Sequence, residues 1–191
     1  LKNFNSDIDI DFADRDSALK LLDTTPASIL RDGKLTRHNT GVYVTDIPVD
    51  PFSGLASLDY ETAEQRGYMK LDLLNVHVYK QVRSEQHLVE LMQEPDWTKL
   101  YEPAICAQLI HVNNHYDTLL KMPEAVDSVA RLAMFLAVIR PAKRQLIGKT
   151  WKEVADTVWD KVEGEYSFKK AHAIAYSQLV VVNLNLLCEL V

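Results

Sequence analysis

The chain has 191 residues, a 47% hydrophobic content and a formal net charge of -6, enough for one ordinary domain or two small ones with a real core. The acidity argues against a protein that holds nucleic acid by bulk electrostatic attraction, which depends on many Lys and Arg contacts to phosphate. No apolar run in the sequence reads as the roughly 18 to 20 residues of a membrane span, and LKNFNSDIDI lacks the charged and apolar regions of a signal peptide.

In chain order, residues 6–12 (Ser-Asp-Ile-Asp-Ile-Asp-Phe) alternate acid and apolar with period two. That is the pattern of a strand with one polar face, and Ile8, Ile10 and Phe12 are expected toward the core. The stretch 14–23 has helical spacing in Ala18, Leu19 and Leu22, with Asp14 or Asp16 able to cap it, and it should end before Pro26. The residues Val42-Tyr43-Val44-Thr45 are strand-like by β-branching, and Pro48 and Pro51 then break regular structure. A second strand is expected over 67–74, where Lys70 and Asp72 interrupt one face. Beyond residue 76, the stretches 77–94, 103–122, 124–139, 150–163 and 170–190 all read as helix, punctuated by Pro95, Pro103, Pro123, Pro141 and Gly164. The fold class is therefore α+β, with a small sheet in residues 1–80 and a helical region in 81–191.

The carboxylates carry the chemistry. Alternate residues of a strand project from one face about 6.5 to 7 Å apart, so Asp7 and Asp9 can converge on a pair of metal ions, and Asp11 points the same way. Two divalent cations about 3.5 to 4 Å apart suit an in-line phosphoryl displacement, and carboxylates are the hard oxygen ligands that Mg²⁺ prefers. Asp72, inside an apolar strand, is the candidate third acid, because burying its charge without a metal or a partner is expensive. The competing reading makes Asp7, Asp9 and Asp11 the solvated face of an edge strand, where charges prevent unwanted pairing. A calcium loop fits poorly, since the glycine and the terminal Glu it needs are absent. Cys106 and Cys188 lie far apart with no CxxC spacing and read as buried thiols.

Read together, these segments resemble the C family of bacterial replicative DNA polymerases, the polymerase III alpha subunits. Ser6 to Phe12 resembles the family's palm motif Pro-Asp-Ile-Asp-Ile-Asp-Phe, and Gly67 to Leu74 resembles Gly-Leu-Val-Lys-Phe-Asp-Phe-Leu. Between them, Arg37 to Val44 is similar to a stretch reading His-Ala-Ala-Gly-Val-Val-Ile. Leu136 to Pro141 looks like the fingers motif Ala-Leu-Tyr-Arg-Pro-Gly-Pro, and Tyr166 to Tyr176 resembles Tyr-Gly-Phe-Asn-Lys-Ser-His-Ala-Ala-Ala-Tyr. The five segments keep the family's order.

The resemblance implies a nucleotidyltransferase-type (polymerase beta-like) palm followed by helical, fingers-like structure. It implies template-directed addition of deoxynucleotides to a primer 3′ end with two Mg²⁺ ions, and a cytoplasmic setting in a bacterial or virus-infected cell. By carry-over, Asp7, Asp9 and Asp72 become the catalytic metal ligands, with Asp11 adjacent. Arg140 and Lys170 become the groups that steady an incoming deoxynucleoside triphosphate. Arg140 clusters with Lys143 and Arg144 after one helix and Lys170 with Lys169 and His172 before another, so both groups could face phosphates, and Lys70 becomes a contact to the primer end or nucleotide. Departures are equally clear. Only 60 residues separate Asp11 from Asp72, where the family has a thumb, and about twenty-five connect Pro141 to Tyr166, where it has a long helical insert. The Arg-Pro motif has lost its Gly-Pro ending, and the triphosphate-gripping Gly-Ser loop and the N-terminal phosphoesterase-like domain are absent from the sequence. A start at Leu1 and an end in an apolar stretch fit a fragment or a processed product. A polymerase so reduced is expected to need another polymerase subunit or replisome protein beside its primer-template DNA. A polymerase-derived binder with little chemistry is the alternative.

His111 and His115, four apart, are expected on a helix as surface or capping histidines, although the spacing can bind a metal. Trp97, Trp151 and Trp159 read as core packing before base stacking.

Overall fold

The computed structural model describes residues 8–162 and 168–190 and divides into two compact units, Leu1–Gln81 and Val82–Val191. Asp7 lies outside the described residues, as do Ser6, Tyr166 and Ser167.

The first unit is built on a mixed four-stranded sheet in the order β1-β4-β3-β2. Strand β1 (Ile8–Phe12) is followed by helix α1 (Arg15–Leu19), whose cap is Asp14, accepting from the Ser17 N–H at 3.2 Å. The chain then forms a hairpin of β2 (Thr25–Arg31) and β3 (Lys34–Tyr43). At its tip Asp32 and Gly33 both have positive φ, 50° and 74°, as the tight two-residue hairpin turn requires. Helix α2 (Tyr60–Gln65), capped by Asp59, leads through Gly67 at φ 88° to β4 (Leu71–Asn75). Strand β4 inserts between β1 and β3, parallel to the first and antiparallel to the second. A small core of Ala27, Tyr43, Ile47, Ala56 and Ala63 packs against this sheet.

Three expectations for this unit are corrected. The strand expected from Gly67 starts at Leu71, because the left-handed turn at Gly67 precedes it. Residues 25–31, for which the sequence reading named no element, form an edge strand whose register with β3 shifts between Pro26 and Ser28, a position where proline is tolerated. Ile10, expected toward the core, is 37% exposed, since β1 lies at the sheet edge.

The second unit is helical: α3 (Glu85–Leu91), α4 (Pro103–Cys106), α5 (Tyr116–Leu120), α6 (Val129–Val138), α7 (Trp151–Thr157) and α8 (Lys170–Glu189), joined in part by 3-10 turns at Trp97–Tyr101 and Pro141–Leu146. Leu132, Phe135 and Leu136 of α6 are fully buried and share one core with Leu109, Val154, Val180 and Leu184. The expected long helices are shorter and interrupted. The 77–94 stretch is a 3-10 turn, His77–Gln81, then α3, which starts afresh at the Ser84 cap. The 103–122 stretch is two short helices joined by turns, Ser128 starts α6 later than expected, and α7, capped by Thr150 at its expected start, ends early at Thr157. At α3, α6 and α7 a side-chain oxygen accepts from an early helical N–H and fixes the start of the helix.

By length and composition α8 is apolar enough to span a membrane, which the sequence reading missed, yet half of that window is buried inside the protein. Its polar residues act as ties. Asn183 accepts from the Ile110 N–H at 2.9 Å, and Asn185 donates to the Leu91 and Gln93 carbonyls at 2.8 and 3.0 Å. Buried His87 accepts the Arg83 N–H on Nδ1 at 3.1 Å, which places its proton on Nε2 to donate to Glu189 at 2.9 Å. Cys106 is buried and Cys188 half-buried.

Candidate active site

Asp9 on β1 pairs in register with Asp72 on β4, and Asp72 pairs in turn with Gly41 on β3. Directly paired residues of neighbouring strands project from the same face. Asp9 and Asp72 therefore project from one face of the sheet, and the place a side chain at Gly41 would take is filled by Lys70 and His38.

Asp72 is 8% exposed and its charge is compensated from within the unit. Lys70 Nζ donates to Oδ2, and Thr40 Oγ1 donates to Oδ1 at 2.7 Å. The His38 ring approaches Oδ1 at 3.7 Å, but its Nδ1 already accepts the Gly41 N–H at 2.9 Å. A nitrogen that accepts there does not also donate, so the ring makes no hydrogen bond to Asp72 through Nδ1. Burial pushes the Asp72 carboxyl up, but the hydrogen bonds from Lys70 and Thr40 and the Lys70 charge outweigh it and hold the group below its ordinary value. Beneath the sheet, Arg15 Nε donates to the Leu73 carbonyl at 2.8 Å, a second fixing of β4.

A lowered folded-state pKa stabilises the protein fully above the ordinary carboxylate value and loses that contribution as pH falls through the folded value. Urea unfolding of the parent and of Asp72→Asn is therefore expected to differ by a constant amount above about pH 5 and to converge below about pH 4. A difference that grows on acidification would contradict this assignment.

Gly41 is irreplaceable on steric grounds. A Cβ there would lie 2.7 Å from Lys70 Cδ, 2.9 Å from His38 Nδ1 and 3.0 Å from Ala27 Cβ. Ala27 is fully buried and cannot yield. Gly41→Ala should cost about 1–3 kcal/mol through overpacking, read as a lowered denaturation midpoint.

On β1, Asp9 and Asp11 are both exposed at the sheet edge. Partial burial first, and then the charge of Asp9, hold the Asp11 carboxyl above its ordinary value. A cation placed between them would relieve that repulsion. Among the described residues no group of three or more His, Cys, Asp and Glu side chains comes together as a ligand set. Asp9, Asp11 and Asp72 nevertheless fit Mg²⁺ in kind, as oxygen donors. The Tyr43 hydroxyl, buried without a hydrogen-bond partner, is pushed up to about 12 by burial and then by Asp59, Asp72 and Glu64.

The expected phosphate-binding residues belong to the helical unit. Arg140 precedes the turn Pro141–Leu146, with its guanidinium over the Phe168 ring at 4.7 Å. Lys170 opens α8 with its ammonium 6.0 Å from the Trp159 ring centre, and His172 lies one turn in, 6.3 Å from Tyr176. Lys143, expected in a basic cluster with Arg140 and Arg144, donates to the Thr157 carbonyl at 2.7 Å. His111 and His115 do not lie on a helix: His111 has φ 64° in a turn and His115 is the residue before α5. Trp151 is buried and donates to the Ala125 carbonyl at 3.1 Å.

Thr40, His38, Gly41 and Arg15 were not singled out as site residues from the sequence. The available signal was a glycine entering a strand beside a threonine. Comparison of the chain with protein-family models, with curated proteins and with solved structures found no match.

Proposed function

We propose that this chain is a reduced relative of the C-family replicative DNA polymerases, with a nucleotidyltransferase-type palm, acting with partner chains in template-directed addition of deoxynucleotides to a primer 3′ end. The observation that carries the reading is the in-register pairing of Asp9 with Asp72 on adjacent parallel strands, in segments that resemble the family's two acidic motifs.

The residues have separate tasks. Asp9 and Asp72, with Asp7 and Asp11 as further ligands, are the groups that hold Mg²⁺. Bound there, Mg²⁺ lowers the pKa of the attacking hydroxyl and neutralises charge on the triphosphate and leaving oxygens. Lys70 and Thr40 fix the Asp72 carboxylate by hydrogen bonds to both oxygens, so that it need not reorganise as charge develops. In the helical unit, Arg140, Lys170 and His172 are the triphosphate-binding groups, with charge-assisted bonds to phosphate oxygens. The cell compartment that goes with this function is the cytoplasm of a bacterial or virus-infected cell.

The test is Mg²⁺-dependent primer extension in the presence of candidate partner proteins, comparing the parent with Asp9→Ala and Asp72→Ala. Equal activity in all three removes the catalytic assignment. A second reading, a polymerase-derived protein that binds primed DNA or a replisome component without chemistry, is favoured by one observation. Both Asp72 oxygens are already engaged by Lys70 and Thr40. An inert parent that still binds primed DNA or a replication protein supports that second reading.

A further inference from the structure

The helical unit gathers four nitrogenous side chains from separate stretches of chain. His111 lies in the turn after α4, His115 precedes α5, and Arg140 and Arg144 belong to the segment at Pro141–Leu146. Arg140 and His111 share one packed cluster through the rings of Phe168 and Tyr176. Burial and then Arg140 depress the His111 imidazole, while burial, Arg144 and Arg140 depress His115.

From α8, Tyr176 stands against His111 at 4.7 Å between ring centres and His172 against Tyr176, while Asp117 lies in the first turn of α5. Among the described residues no carboxylate contributes to the shift of either imidazole, and neither Arg140 nor Arg144 has an ion pair.

Two further observations mark the place as incomplete. Arg140 Nε is buried with no hydrogen-bond partner, which leaves the desolvation penalty of a charged donor unrelieved. His111 holds a left-handed backbone at φ 64°, uncommon for a residue with a side chain and a feature that clusters at ligand sites. An aromatic pair fixes the arrangement: the Arg140 guanidinium lies on Phe168, Phe168 stacks on Tyr176 at 5.7 Å, and Tyr176 contacts His111. Cations held together without a counter-charge repel one another, and a multivalent anion reverses that cost.

We propose that His111, His115, Arg140 and Arg144 form a polyphosphate-binding site whose occupancy takes up protons onto the two histidines. It rests on the phosphate-binding role assigned above to Arg140 and not on catalysis. The two guanidiniums supply permanent charge and forked donors for phosphate oxygens. The imidazoles, neutral when the site is empty at neutral pH, become the charged form once negative charge lies beside them. Affinity is therefore highest below the histidine range and falls as pH rises through it. A nucleoside triphosphate and the backbone of a nucleic acid share this chemistry.

Calorimetric titration of the full chain with tripolyphosphate, without metal or DNA, from about pH 5.5 to about pH 8.5 and in two buffers of different ionisation enthalpy tests the proposal. Proton uptake is expected, with affinity falling about tenfold for each histidine whose pKa the anion raises by one unit. Arg140→Gln should weaken binding at every pH. The double variant His111→Asn/His115→Gln should bind like the parent at the highest pH and lose most of the pH dependence. Asn suits the left-handed backbone, and circular dichroism checks the fold. Sulfate, which does not titrate in this range, separates protein protonation from that of the ligand. Absence of tripolyphosphate binding, absence of proton uptake, or an unchanged pH dependence in the folded double variant overturns the proposal. Displacement by a deoxynucleoside triphosphate identifies the triphosphate as ligand, and displacement only by a single-stranded oligonucleotide identifies backbone phosphate. Because no primer extension is measured, failure here leaves the carboxylate reading to its own test, and proton-coupled binding by a protein inert in extension upholds this site alone.

Discussion

Asp9→Ala is expected to lower Mg²⁺-dependent primer extension by at least about 10²–10³-fold, the scale on which removing one preorganised charge-stabilising group acts, while leaving stability within about 0.5 kcal/mol. Asp9 is exposed on an edge strand, so its removal opens no cavity. That separation makes it the cleaner probe of the two central carboxylates. Asp72→Ala should be inactive as well, but its inactivity alone says little, because the same change disturbs folding. Extension rates and denaturation midpoints measured on the same preparations distinguish the cases. Full activity in a folded Asp9→Ala protein would remove Asp9 from the reaction.

The second large effect concerns stability. Lys70 and Asp72 have side chains only 15% and 11% exposed, so either single truncation leaves a charge largely withdrawn from water. Asp72→Leu and Lys70→Met should each cost about 3–5 kcal/mol, whereas the double variant Lys70→Met/Asp72→Leu should return near the parent or above it. The reason is that desolvating two charges offsets most of their attraction. The loss in each single variant is mainly the penalty on the abandoned partner. Equilibrium urea unfolding of the four proteins completes the cycle. Additive single effects of under about 1 kcal/mol would show the pair to be effectively solvated.

This pair also revises an argument made from the sequence. An acid inside an apolar strand needs a metal or a partner, and in the folded chain the partner is present: Lys70, two residues earlier, with Thr40 from the neighbouring strand. Burial of Asp72 is thus explained without a metal. What favours a cation is the other carboxylate pair, where Asp9 helps to hold Asp11 above its ordinary value.

What the sequence determined by itself was local. Period-two alternation specified the β1 strand and the shared face of its acids, and the i, i+2 spacing of Lys70 and Asp72 was legible because a strand repeats every two residues. The change of periodicity after residue 76 marked the helical half. Tertiary structure decided what depends on neighbours distant in sequence. Ile10 is exposed because β1 took the edge, and β2 formed despite Pro26 because an edge strand can spare one donor. Thr40, His38 and Gly41 joined Asp72 only when β3 paired with β4. His111 and His115, which spacing placed on a helix, lie instead in turns before α5, where the left-handed backbone of His111 breaks the helical path. Local periodicity fixes which face a residue shares with its neighbours in sequence, but long-range pairing alone decides what meets that face.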